Sequence, residues 1–430
     1  MERDDKQKFY FGASTSAHQV EGNNHNDWSE WEEKNAVGLA KEAEAKRKDP
    51  AFAKIALELL NHHNYVSGAA CDHYHRFRED FDIAKSLGHN AHRFSIEWSR
   101  IEPEEGKFDE KEIEHYREVI RALCERGLEP FVTLWHWTLP LWFRDRGGWE
   151  WKESPKYFAR YVEKIVVALE TRRPTSSIDV GRLSARHWIT LNEPEVYTSH
   201  SYLKGEWPPQ KRSLVRYITV TRHLVCAHKK AYRVIKKYVP GAEVGIAKNN
   251  IYFEAVWWNP VAWLLKLFAD YFWNYYFLNR IMRYQDFIGL NYYFHNRISW
   301  WFGRNKNKSV TDIGWEIYPE GLYYVLRGLR WYRKPIYVTE NGLADRDDEK
   351  RADFLRNHIA IMRKAMGDGV DVRGYLYWSL IDNFEWSRGF APRFGLVAVD
   401  YKTFERRIRP SALEYKKIIE ENLKKDTGVL

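Results

Sequence analysis

Short runs rich in β-branched and aromatic residues recur along the chain, and the longer stretches between them carry apolar residues at three- and four-residue spacings. Eight runs read as strands: Phe9–Ser16, Ala91–Ile96, Pro130–Leu134, His187–Leu191, Glu243–Asn249, Asp286–Asn291, Pro335–Thr339 and Arg373–Trp378. The periodic stretches predict amphipathic helices around 72–87, 109–126, 154–170, 212–238, 319–331 and 348–366, with a last one at 410–424. Eight alternating strand and helix units are accommodated more economically by a closed parallel barrel than by a doubly wound sheet. The expected fold is therefore α/β, a (β/α)8 TIM barrel. No linker rich in Pro, Gly or Ser divides residues 1–430, and no low-complexity segment or short repeat interrupts them, so a single domain is expected.

The residues at the ends of these runs are polar or aromatic. Gln19 and Glu21 follow the first, Glu97 and Trp98 the second, and His136 the third. Asn192 and Glu193 follow the fourth, and Asn249 closes the fifth. Asn291 and Tyr293, Glu340 and Asn341, and Trp378 with the later Glu385 complete the series. The C-terminal strand ends of such a barrel open on one face, where the active site lies, so the pattern gathers these side chains around one pocket. Two are carboxylates beside an asparagine, in Thr190-Leu191-Asn192-Glu193-Pro194 and Thr339-Glu340-Asn341-Gly342. Glycoside hydrolysis uses such a pair, one group to protonate the leaving oxygen and one to attack, or to activate water, at the anomeric carbon. Taken singly, either glutamate reads as an exposed loop carboxylate; the joint pattern favours the catalytic reading.

Composition adds one pointer and removes several classes. Aromatic residues make up 16% of the chain and include 20 Trp, whose flat apolar face and polar edge suit the C–H face of a sugar ring. The charge of +9 is spread among acidic stretches such as Glu102, Glu104 and Glu105, with no nucleic-acid motif, and reads as solubility rather than a nucleic-acid partner. Three cysteines, Cys71, Cys124 and Cys226, stand far apart in no ligand spacing, which fits a reducing, cytoplasmic setting. Met1 to Lys8 is charged and lacks the apolar core of a secretory signal. The aromatic segment 255–279 is broken by Pro260, Lys266 and Asp270, so no transmembrane helix is expected. His62, His63, His73 and His75 read as surface or helix histidines, and neither a metal nor an organic cofactor is expected.

The chain resembles the family-1 glycoside hydrolases, the retaining β-glucosidases and β-galactosidases built on a (β/α)8 barrel. The likeness runs from Phe9 to Lys417. Its segments are Gly12-Ala13-Ser14-Thr15-Ser16-Ala17-His18-Gln19-Val20-Glu21-Gly22, Arg93-Phe94-Ser95-Ile96-Glu97-Trp98, Trp135-His136-Trp137, the two glutamate motifs, and Trp378-Ser379-Leu380-Ile381-Asp382-Asn383-Phe384-Glu385-Trp386. The resemblance implies an exo-acting β-glycosidase for small or oligosaccharide β-glycosides, with glucosyl groups first and galactosyl and fucosyl groups as further candidates. It makes Glu193 the acid/base and Glu340 the nucleophile, with Arg93 and Tyr293 beside Glu340 favouring its charge. It assigns Gln19 and Glu385 to hydroxyls at the far side of the ring, His136 and Trp386 to the neighbouring hydroxyl, and Asn192 to the 2-hydroxyl. Trp378 stacks under the ring, Asn291 helps fix the site, and Trp315 lies on the leaving-group side. A carboxylate at Glu385 repels phosphate, which implies an unphosphorylated sugar. Transglycosylation at the same site is an alternative; an inactive sugar-binding barrel is disfavoured by the presence of both glutamates.

Three departures stand out. Between the fifth and sixth runs the family's usual excursion is shortened to the aromatic segment, read as a helix whose rings fill core. The competing reading has the rings displayed at an open cleft, a homo-oligomer interface or a membrane surface. Arg172–Arg186 lacks periodicity and should lie at the bottom of the barrel. His18 replaces a common aromatic beside Gln19, a change that bears on sugar preference.

Overall fold

The computed structural model describes residues 8–45, 52–170, 185–303 and 305–427. Eight parallel strands form a closed barrel: β1 Tyr10–Ser14, β2 Ala91–Ser95, β3 Glu129–Thr133, β4 His187–Asn192, β5 Glu243–Asn249, β6 Ile288–Asn291, β7 Ile336–Asn341 and β8 Val372–Trp378. Each neighbours the next in chain order, and β8 closes on β1 through Tyr10↔Gly374 to Ser14↔Trp378. All eight overlap their predicted runs, with ends displaced by no more than two residues.

The outer helices are α1 His73–Ser86, α2 Glu110–Glu125, α3 Ser154–Glu170, α4 Leu214–Tyr238, α5 Pro260–Ala269, α6 Pro319–Leu329, α7 Arg351–Gly367 and α8 Pro410–Thr427. Capping fixes where several begin. Asp109 accepts from the backbone N–H groups of Lys111 and Glu112 at the start of α2, and Ser213 does the same for Arg216 in α4. Their apolar stripes, such as Ile113, Tyr116, Ile120 and Leu123 of α2, are buried against the strands. Gly12 is required on β1, because a Cβ there would sit 1.9 Å from the carbonyl oxygen of Ala91 on β2.

Side chains plug the barrel from below. Phe131 and His187 stack with ring centroids 4.2 Å apart, and Tyr10, Phe287 and Tyr337 pack around them. Among the described residues the lower interior is thus filled, and the cavity opens toward the C-terminal strand ends. Of the unpatterned stretch Arg172–Arg186, only Ala185 and Arg186 are among the described residues. Arg186 pairs with Glu243 at the lower end of β5, on the side of the barrel away from the pocket.

Elements beyond the predicted set cover the upper rim. A helix at Asp27–Ala45 buries Trp28, Trp31 and Ala36, while Tyr252–Ala255 and His295–Ile298 pair in parallel above β5 and β6. The aromatic segment departs from its expected role as core. Helix α5 packs through Ala262, Leu265 and Ala269 onto Phe253, Val256 and Ile298, whereas Trp257, Trp258, Trp263, Phe268, Tyr271 and Phe272 are exposed. A helix apolar on all sides can bury only the side that meets a neighbour, and among the described residues no element covers the other. Among the described residues no helix is long and apolar enough to cross a membrane, and Cys71, Cys124 and Cys226 are free. His73 is buried in α1 and pairs with Asp80, which also holds Arg406.

Candidate active site

The strand ends converge on a cavity of about 890 Å³, within the range of small-molecule sites. Ten of the predicted residues line it: Gln19, His136, Asn192, Glu193, Tyr293, Trp315, Glu340, Trp378, Glu385 and Trp386. Arg93 and Asn291 sit behind its wall, each fully buried and holding residues that face it.

The two glutamates occupy different surroundings. Glu340, within β7, accepts from Arg93 through Oε1 and from the Tyr293 hydroxyl through Oε2 at 2.8 Å. Burial raises its pKa, and the Arg93 charge and the hydrogen bonds oppose that rise. Glu193, just beyond β4, receives only neutral amide donors on Oε1, from Asn291 at 2.9 Å and Asn249 at 3.0 Å. Burial and then the charge of Glu340 push it up to about 8, so it holds its proton at neutral pH. The two carboxyl groups thus differ in what opposes burial: an arginine and a hydroxyl bond Glu340, and neutral amides bond Glu193.

A polar scaffold ties the pair together. Arg93 donates to Asn192 Oδ1 at 2.6 Å and to Thr133 Oγ1 at 3.0 Å, which fixes its guanidinium beneath Glu340. Asn291 accepts from Thr339 and donates to Glu193 and, at 3.3 Å, to Asn192. With its oxygen used by Arg93, Asn192 turns its amide toward His136 Nε2 at 3.0 Å. Burial and the nearby Arg93 hold His136 well below the usual histidine range. With Nε2 accepting from Asn192, the neutral ring carries its proton on Nδ1, which is buried and meets no hydrogen-bond partner among the described residues.

The far wall is aromatic and acidic. Trp386 packs against Trp28, Trp137 and His136 at centroid distances of 4.6, 4.7 and 5.9 Å. His18 stacks on its other side at 5.5 Å, spends its ring nitrogens on Glu32 and Asn26, and does not line the cavity. Its effect on a ligand passes through Trp386. Gln19 is held by Ser16, Phe384 and Asn383 and reaches Glu385 at 3.4 Å. Burial raises Glu385 to about 8 despite Arg388 nearby, so it is largely protonated at pH 7, where sequence reading took it as a carboxylate. Trp378 ends β8, and Trp315 packs edge-on against Tyr293 at 5.8 Å.

Glu193, Trp137 and Trp386 are non-glycine residues with φ of 40°, 79° and 51°. This left-handed backbone costs on the order of 1–3 kcal/mol at each position and persists where surrounding packing fixes it. All three line the cavity.

Asn249 was not singled out as a site residue, although it closes the fifth run as a polar strand end, the same signal that marks Asn192. Behind it, Lys248 is fully buried, donates to the carbonyls of Asn249 and Trp273, and lies 3.3 Å from buried Glu195. The sequence carries no pattern for that pair, since a lysine inside a strand and a glutamate two residues after Glu193 both read as exposed. Among the described residues no cluster of His, Cys, Asp and Glu is arranged to hold a metal.

Known proteins match both sequence and fold. The model of glycosyl hydrolase family 1 matches residues 2–257 and 264–424. A 1,4-β-D-glucan glucohydrolase of Thermotoga neapolitana is 35% identical over 403 residues, covering 82% of this chain and 88% of its own. A β-glycosidase from Pyrococcus horikoshii superposes with a TM-score of 0.83 at 37% identity, covering 98% of this chain and 97% of its own. A β-glucosidase from Thermotoga maritima in complex with glucoimidazole gives 0.82 at 30% identity, covering 97% and 98%.

Proposed function

The chain belongs to glycosyl hydrolase family 1, and from that premise we propose that it removes terminal non-reducing β-D-glucosyl residues by a retaining double displacement. It is a glycoside hydrolase; the finer reading rests on the contrast between its two glutamates. Relatives named as β-glucosidases, and a structural neighbour holding glucoimidazole, support glucose as the glycone. β-Galactosyl and β-fucosyl groups are further candidates.

In the first step Glu340 attacks the anomeric carbon while Glu193 gives its proton to the departing oxygen. Arg93 and Tyr293 keep the attacking carboxylate ionised and oriented. Forming the ester removes the negative charge that had raised Glu193. With Arg93 still in place, Glu193 then holds a proton less tightly and takes one from water in the second step. His136, Gln19, Glu385, Asn192 and Trp386 bind the glucose hydroxyls, Trp378 carries the ring and Trp315 flanks the leaving group.

Incubation with an activated 2-deoxy-2-fluoro-β-glucoside tests the mechanism, because the fluorine slows breakdown of the ester. One adduct per chain, mapped to the peptide bearing Glu340, is expected. A label on another residue, or none with glucosyl, galactosyl or mannosyl reagents, would overturn it.

The pH dependence follows from the same contrast. Glu193 must be protonated in free enzyme, so kcat/KM for an aryl β-glucoside should fall as pH rises through about 8. Glu385 titrates in the same range, and its ionisation adds repulsion toward a charged glycone. A 6-phosphoglucoside is therefore expected to lose ground against the unphosphorylated glucoside as pH rises through about 8. Initial rates from pH 5 to about 10 on both substrates check this. A flat profile above pH 8 would assign the proton donor elsewhere.

A further inference from the structure

The exposed apolar face around α5 has no role in the reaction. Trp257, Trp258, Trp263, Leu264, Leu267 and Phe268 are each between 47% and 85% exposed and lie on one turn and one helix. The neighbouring loop adds Trp300 and Trp301, and the rings of Trp258 and Trp300 meet edge-on at 6.1 Å. A contiguous surface of this kind marks a contact site. Residues 258–263, which include Trp258 and Trp263, are also the one internal stretch outside the family match.

We propose that this face docks onto an anionic lipid surface. Three observations favour lipid over a second copy of the chain. Tryptophan, which dominates the face, has an amphipathic ring that settles at the boundary between headgroups and acyl chains. Helix α5 is too short to span a bilayer but can lie in its surface, since ten residues reach about 15 Å and only Lys266 among them is charged. Beside the rings, residues 305–310 carry Lys306 and Lys308 and no acidic residue, on a chain of net charge +9. Lys306 and Lys308 are exposed. A two-fold contact through this face would bring that basic segment against its own copy, whereas anionic headgroups complement it.

Docking in this orientation sets the pocket beside the membrane. Ile251 and Trp273 line the cavity and also pack against the cluster beneath α5, so the same elements support both surfaces.

Flotation of the intact protein with vesicles of phosphatidylcholine alone, and with phosphatidylcholine plus phosphatidylglycerol, tests the proposal. Partitioning about tenfold or more in favour of the anionic vesicles is expected, weakening as salt is added. The triple variant Trp257→Ser, Leu264→Ser, Trp301→Ser should lose that binding by a similar factor while hydrolysing a soluble aryl β-glucoside at the normal rate, which also reports that it folds. A wild-type protein that ignores both vesicles, or floats equally with both, would overturn the proposal. So would light scattering that finds a concentration-dependent dimer, abolished in the triple variant, without vesicle binding; the face would then be a subunit interface.

Discussion

Glu340→Ala is expected to lower kcat for an aryl β-glucoside by about 10⁴-fold or more, because it removes the only group proposed to bond the anomeric carbon. The pocket it leaves remains cationic. Arg93 stays fixed by Asn192 and Thr133, and the Tyr293 hydroxyl loses its carboxylate partner. A small anion such as azide or formate fits that vacancy and can attack from the same face. Added azide should restore turnover and yield the α-glucosyl azide, with inverted configuration, as NMR of the product will record. A β-configured product, or a variant near wild-type rate without azide, would remove Glu340 from the nucleophile's role.

Glu193→Ala should divide substrates by their leaving groups. Those with poorly acidic aglycones need the proton and are expected to slow by about 10²–10⁴-fold, whereas a dinitrophenyl β-glucoside loses little in the first step. Water then lacks its base, the ester accumulates, and kcat and KM for the activated substrate fall together. Azide needs no base and should rescue this variant to the β-glucosyl azide, the opposite anomer from the Glu340 experiment. The loss of rate above about pH 8 should also diminish, since the group pushed there by burial and Glu340 is gone. Equal slowing of good and poor leaving groups would mean that Glu193 acts in some other way.

The barrel was legible because its strands obey a simple rule: short apolar runs, each ending in polar residues that a core would not tolerate. The residues gathered at the pocket follow from that rule as far as they lie on strand ends. Trp28 is different, for it reaches Trp386 from the helix Asp27–Ala45, whose sequence is mostly polar and whose buried side is narrow. Trp207 packs on Trp137 from a loop, where no periodicity operates. Lys248 and Glu195 are buried 3.3 Å apart, and such a pairing cannot be read from either residue alone. The segment 255–279 escaped for the opposite reason. Hydropathy identifies residues that favour removal from water, but whether a neighbour is there to cover them is decided by the rest of the fold.

Closure of the barrel between its first and last strands carries a consequence for biosynthesis. Tyr10 pairs with Gly374, 364 positions later, and Tyr415 of α8 then donates to the carbonyls of Gly12 and Tyr375 across that seam. At 5–20 residues per second, β1 leaves the ribosome roughly 20 to 70 s before β8. During that interval one edge of β1 has its backbone groups unpaired, as an open sheet edge that other nascent chains can join. Gln19 follows β1 and Glu385 follows β8, so the wall that is proposed to grip the sugar assembles only when the seam closes. A growing chain thus acquires its sugar pocket among its last steps, and until then its exposed strand edge makes it a natural client for chaperones.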